Sequence, residues 1–148
     1  MADDVSSVRE WVATFGAHVA AVDFASARPM FDDGVVAFGT WSELLTGLDD
    51  LEAKQWRNVW PTIDAFAFDV DGTDVVLSDD GLLAVAIAPW SSTGFAEDGS
   101  TFDRPGRATL VLRRPSAGAP WRCVHSHFSL GRDVPQRSYG RSASSASR

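Results

Sequence analysis

The chain has 148 residues, a formal net charge of −7 and 45% apolar residues, which matches one compact domain able to bury a core without disulfide or metal staples. Its single cysteine, Cys123, excludes an internal disulfide, and its acidity works against nucleic-acid phosphates and anionic lipid, so neither nucleic acid nor membrane is expected as a partner. No apolar run approaches the roughly 18 residues that span a bilayer, and no basic, apolar, small-residue leader opens the sequence, so a cytoplasmic location is expected.

The first element is a helix. Val5, Val8, Trp11, Val12, Phe15, Val19 and Val22 recur at the 3.6-residue spacing of an amphipathic stripe over residues 5–22. Asp23 suits the N-cap of a second, shorter helix reaching about Met30. Asp32-Asp33-Gly34 then reads as a break before a strand over Val35-Val36-Ala37-Phe38. After Gly47, residues 48–60 read as a third helix, with Leu48, Leu51, Trp56 and Trp60 as buried positions and Pro61 as its stop.

From Thr62 onward the pattern changes. Residues 63–70, 74–78, 82–90, 107–114 and 121–130 are β-prone runs separated by Asp-Gly, Asp-Asp-Gly and Pro/Gly clusters, the pattern of an antiparallel meander. Helices grouped early and strands grouped late predict an α+β domain in which helices cover one face of a curved sheet. Residues 91–103 read as a long Gly-containing loop, a lid or an arm reaching across a dimer. The domain is expected to end at residue 134, and residues 135–148, rich in Ser and Arg, lack the apolar content to offset ordering entropy and read as disordered.

The order of these elements, together with Val35-Val36-Ala37-Phe38-Gly39-Thr40 followed by Glu43 and Gly47, then Gly106-Arg107-Ala108-Thr109, then Trp121 through Ser129, resembles the SnoaL-like, ketosteroid-isomerase-like branch of the nuclear transport factor 2 superfamily. The resemblance spans residues 5–131. It implies a cone: three N-terminal helices held in a strongly curved, mostly antiparallel sheet with a mixed edge, a hydrophobic pocket at one end, and a homodimer built on the outer sheet face. The Trp-x-x-Val-His-x-His-x-Ser rhythm of the last piece is also similar to the end of the calcium/calmodulin-dependent kinase II association domain. That likeness implies that Val124, Ser126 and Phe128 face the cavity and that His125 and His127 face the helix-free side and the dimer. It also implies small-acid binding through arginines, although Phe128 stands at the position of one of them.

Within that fold, Trp11, Phe15, His18 and Val22 follow one stripe of the first helix, which makes His18 a candidate acid or base. Trp41, Trp56, Trp60 and Trp90 fall near helix and strand ends, where aromatic walls suit flat or apolar ligands. Arg107, beside the 91–103 loop, is the candidate receptor for an acid group. Cys123, His125 and His127 alternate on one face of the last strand, and two imidazoles so spaced hold zinc only when a third ligand converges from elsewhere, so neither a metal nor a cofactor is expected. Standard ketosteroid isomerisation is excluded, because residues 35–38 lack a carboxylate base and the only tyrosine, Tyr139, lies in the tail. Asp103 and Arg104 are adjacent and, on an extended chain, point to opposite sides, unlike the acid–arginine–acid cluster of limonene epoxide hydrolases. The functions open to the sequence are a domain binding a small molecule in an aromatic-lined pocket, a cofactor-independent isomerase, cyclase or dehydratase using His18, His125 or His127 for proton transfer, and a structural dimerisation domain.

Overall fold

The computed structural model describes residues 2–141, with side chains from Asp4 onward. The long helix α1 (Ala2–Ala21) buries Val8, Trp11, Val12, Phe15 and Val19, the stripe expected from the spacing. It ends in a reciprocal backbone cap: the Val22 N–H donates to the Val19 carbonyl at 3.1 Å and the Asp23 N–H to the His18 carbonyl at 2.9 Å. The cap puts Val22 at φ 55°, a left-handed position that normally falls to glycine because a β-branched side chain is strained there. Helix α2 (Phe24–Ala27), capped by the Asp23 carboxylate accepting from the Ser26 N–H, runs into a 3₁₀ turn at Arg28–Met30.

Strand β1 (Phe31–Phe38) begins four residues before the expected start. Asp32-Asp33-Gly34 does not break it. That segment forms an irregularity inside the pairing of β1 with the last strand, where Phe31 opposes Cys123 and Val36 opposes His125. A short strand, β2 (Leu44–Thr46), returns antiparallel to β1. The third helical segment is continuous but irregular, passing from α3 (Leu48–Leu51) through a π-helical turn (Glu52–Trp56) to α4 (Arg57–Val59) and a 3₁₀ turn (Trp60–Thr62). Widened turns of this kind shift side chains around the helix axis, and here Gln55, Trp56, Val59 and Trp60 are all buried.

Strands β3 (Asp64–Phe68), β4 (Asp74–Leu77), β5 (Leu83–Phe95), β6 (Thr101–Asp103), β7 (Gly106–Arg113) and β8 (Arg122–Leu130) complete one sheet. Its order is β2-β1-β8-β7-β5-β3, with β4 and β6 also paired to β5, and the β1–β8 pair is parallel while the others are antiparallel. The helices pack on the concave face, giving the cone-shaped α+β domain. Ala84, Ala86 and Ala88 alternate inward along β5, small side chains that let the core rings sit close to the sheet.

Residues 91–103 form a hairpin, not a loop. β5 continues to Phe95, a tight turn closes with the Ala96 N–H donating to the Ser100 carbonyl at 2.7 Å, and β6 returns. Gly94 is required there: a Cβ would lie 2.4 Å from the ring of Phe102, which covers the strand from across the pair. The tail read as disordered divides in two. Residues 142–148 lie outside the described residues, whereas Ser138 is buried, its hydroxyl accepting from the Phe95 N–H at 3.0 Å and donating to the Thr62 carbonyl, and the Tyr139 N–H donates to the Phe95 carbonyl at 2.8 Å. Arg141 pairs with Asp64.

The β7–β8 register slips between Val111/His125 and Leu112/Cys123, leaving Val124 as an extra residue. That bulge overturns the expectation that Cys123 shares a face with His125 and His127. Cys123 is fully buried in the concave core, and burial pushes its thiol up, away from the reactive thiolate. Ser126 and Phe128 also face inward, and His125 and His127 face outward against Phe38 on the helix-free side.

Two outcomes follow from this geometry. Cys123 in the native protein resists an aromatic disulfide reagent and reacts only on unfolding, whereas rapid native labelling would place it outside with the histidines. Val22→Gly raises stability by about 1 kcal/mol in urea unfolding, since it relieves left-handed strain at a position that packs little. A loss would show that the side chain's contacts outweigh the strain.

Candidate functional site

The concave space left between α1, the irregular α3–α4 segment and the inner sheet face is an aromatic cavity of about 40 Å³. Phe15 of α1 lines it, in ring contact with Trp56, Trp60, Phe68 and Phe128 at centroid distances of 5.8–6.4 Å. Trp56 and Trp60 stack at 4.7 Å, and Phe66 and Trp90 close the far wall at 5.4 Å from each other. These rings come from separate elements, so the cavity exists only in the assembled cone.

One end of this apolar space is polar. Gln55, carried inward by the π-helical turn, holds the β1–β2 connection: its Oε1 accepts the backbone N–H groups of Trp41 and Ser42 at 3.0 and 2.8 Å, and its Nε2 donates to Thr40 Oγ1 at 3.2 Å. Gly39 makes room for it, because a Cβ there would fall 2.3 Å from the Gln55 amide. Next to Thr40 lies Arg104, placed by the residues that follow β6. The Arg104 N–H donates to the Ser92 carbonyl at 2.9 Å and the Ser92 hydroxyl donates to the Arg104 carbonyl at 2.7 Å, which turns both side chains inward.

Arg104 is only 3% exposed, lines the cavity, and has no carboxylate within ion-pair distance among the described residues. Its Nη atoms reach the hydroxyl oxygens of Ser92 and Thr40 at 3.4 and 3.3 Å, long for hydrogen bonds to a cation, and its Nε has no acceptor. The guanidinium sits 5.4 Å from the Trp90 ring. Burial pushes Arg104 down from the usual guanidinium range to about 10. The group is therefore protonated at neutral pH. The unfolded chain holds that proton to higher pH than the folded chain, so charging opposes folding, and this penalty lifts only as pH rises through about 10.

The other buried arginine shows what a satisfied one looks like here. Arg114 donates to the Asp4 carboxylate at 2.8 Å and to the Gly81 carbonyl at 2.9 Å, and lies 4.1 Å over Trp121. Pairing with Arg114 holds the Asp4 carboxyl below its usual range.

Of the residues singled out from the sequence, Phe15, Trp56, Trp60, Trp90, Ser126 and Phe128 line the cavity. The others do not. Trp11 is buried on the neighbouring side of α1 against Phe31, and with His18 it borders a separate outer groove, since positions 11 and 18 turn away from the wall formed by 15 and 19. Trp41 is exposed, with Arg137 5.6 Å from its ring. Arg107 faces outward, its Nε donating to Ser129 Oγ at 3.1 Å. His125 and His127 lie on the outer face, where the Nδ1 of His125 is 2.7 Å from the Val36 carbonyl and therefore carries the proton. No histidine or carboxylate lines the cavity among the described residues. A loop over residues 91–103 gives Arg104 no defined direction; extending the inward alternation of Trp90 through Ser92 sets Arg104 opposite Ser92 and inside.

Similarity to known proteins follows the fold. A ketosteroid isomerase-like protein from Erwinia carotovora superimposes with a TM-score of 0.75 at 15% identity over 91% of this chain and 100% of that one. A nuclear transport factor 2-like protein from Salmonella enterica gives 0.73 at 17% identity over 90% and 95%, and the CaMKII hub of S. rosetta 0.69 at 20% over 85% and 95%. No curated protein matches the sequence significantly. The SnoaL-like domain family matches residues 8–133, the whole cone from the first core turn of α1 past β8, and the chain belongs to that family.

Proposed function

We propose that this domain binds a small, flat, largely apolar molecule in the aromatic cavity, without catalysing proton transfer. The observation that carries this reading is the make-up of the wall: aromatic rings converge from separate elements on one space whose sole ionisable lining group, among the described residues, is Arg104. A general base must reach the proton it removes, and His18, His125 and His127 all lie on other surfaces. An isomerase, cyclase or dehydratase working through them therefore lacks support.

The present cavity volume suits a few waters or a small functional group, so a ring-sized ligand enters by displacing the stacked Trp56–Trp60 pair. The same small volume favours a second reading, in which the cone is filled by its own side chains and the domain serves only assembly. In either reading a homodimer through the outer sheet face is proposed, on the side where Phe38 and Leu44 are 42% and 59% exposed. A cytoplasmic setting goes with it.

Titration with benzamide, phenylacetamide and 1-naphthamide separates the readings. Binding shifts the indole N–H resonances of Trp56, Trp60 and Trp90, leaves that of Trp121 in place, and stabilises the fold by about 1.4 kcal/mol at ten times Kd. A spectrum in which no indole responds to any of the three supports the self-filled cone.

A further inference from the structure

Resting on that ligand-binding reading, we propose that the cavity is built for a monocarboxylate, with Arg104 as the seat of the carboxylate group. The side chain is almost wholly buried, borders the cavity and has no anionic partner among the described residues, whereas the other buried arginine has both a carboxylate and a carbonyl. Two buried donors on lining residues, Arg104 Nε and Trp90 Nε1, have no acceptor. What is missing at this end of the cavity is an acceptor-only group bearing negative charge.

The neighbouring hydroxyls do not fill that role. Thr40 Oγ1 and Ser92 Oγ accept from the Arg104 Nη atoms only at 3.3 and 3.4 Å, both are neutral, and neither reaches Nε. A planar carboxylate matches the fork of a guanidinium and neutralises it in place. A single cation in an apolar wall fits a single negative charge. A phosphate dianion would leave a net charge buried among rings with no second cation lining the cavity among the described residues. The free volume of about 40 Å³ accommodates the carboxylate group itself, and the flat body of the acid takes the place of displaced indole.

The test compares matched acid and amide pairs at pH 7.5: benzoate with benzamide, phenylacetate with phenylacetamide, and 1-naphthoate with 1-naphthamide, by calorimetric titration. In the wild-type protein the acid of a pair binds about tenfold to a hundredfold more tightly than its amide, the range for a hydrogen-bonded charge pair. Arg104→Met removes that difference, weakening the acid far more than its amide, and Arg104→Lys, which retains the charge and loses the fork, falls between. Equal binding of acid and amide by the wild type overturns the carboxylate seat and leaves the ligand-binding reading standing, and this comparison needs no variant. Acid binding undiminished in Arg104→Met has the same meaning. Failure of every acid and every amide to bind overturns the ligand-binding reading and the seat with it.

Discussion

A cation with no counter-charge among the described residues, set in an aromatic interior, is the constraint around which this domain is arranged. Taking a guanidinium out of water costs several kcal/mol unless a partner restores the lost solvation, and Arg104 is given only two distant hydroxyls and the face of Trp90. The surrounding structure nevertheless fixes it firmly. Paired bonds between Ser92 and Arg104 set its backbone, and the Gln55 amide ties the β1–β2 connection beside it through Thr40. A side chain held in an unfavourable environment by ordered neighbours is the pattern expected of a site that is completed by something else.

Two departures from regular pairing decide what faces that site. The π-helical turn of residues 52–56 rotates Gln55 and Trp56 inward together, giving the cavity a polar end and an aromatic wall from one element. The bulge at Val124 separates Cys123 from the histidines, so one strand contributes a buried thiol, Ser126 and Phe128 to the inside and both imidazoles to the outside. The histidines and the thiol of the last strand are divided between two surfaces, and among the described residues no histidine or carboxylate lines the cavity.

Much of the architecture was legible. The apolar stripe of α1 is set by helical periodicity, the strand sequence by alternation and turn residues, and the order of elements carried the family resemblance. The aromatic wall was legible as a set, with Phe15, Trp56, Trp60, Trp90 and Phe128 all reaching the cavity. What stayed hidden depends on events with no local signature. A one-residue bulge leaves composition untouched but reverses every face beyond it. Ser91-Ser92-Thr93-Gly94 looks like loop because its strand character comes from pairing with Phe102 across the hairpin. The direction of Arg104 is set by the same pairing. Composition likewise does not record the order at residues 138–141, where Ser138 is held by backbone groups of Phe95 and Thr62.

The central claim, that Arg104 is kept in place against the stability of the empty domain, is tested most directly by thermal unfolding of ligand-free wild type and Arg104→Met, each refolded from denaturant and desalted. The account predicts a midpoint higher by about 3–10 °C in the variant, because an apolar side chain of similar length removes an unpaired buried charge. A midpoint lowered by a similar amount would contradict it, and would make Arg104 a structural support for the β1–β2 connection and the β5–β6 hairpin.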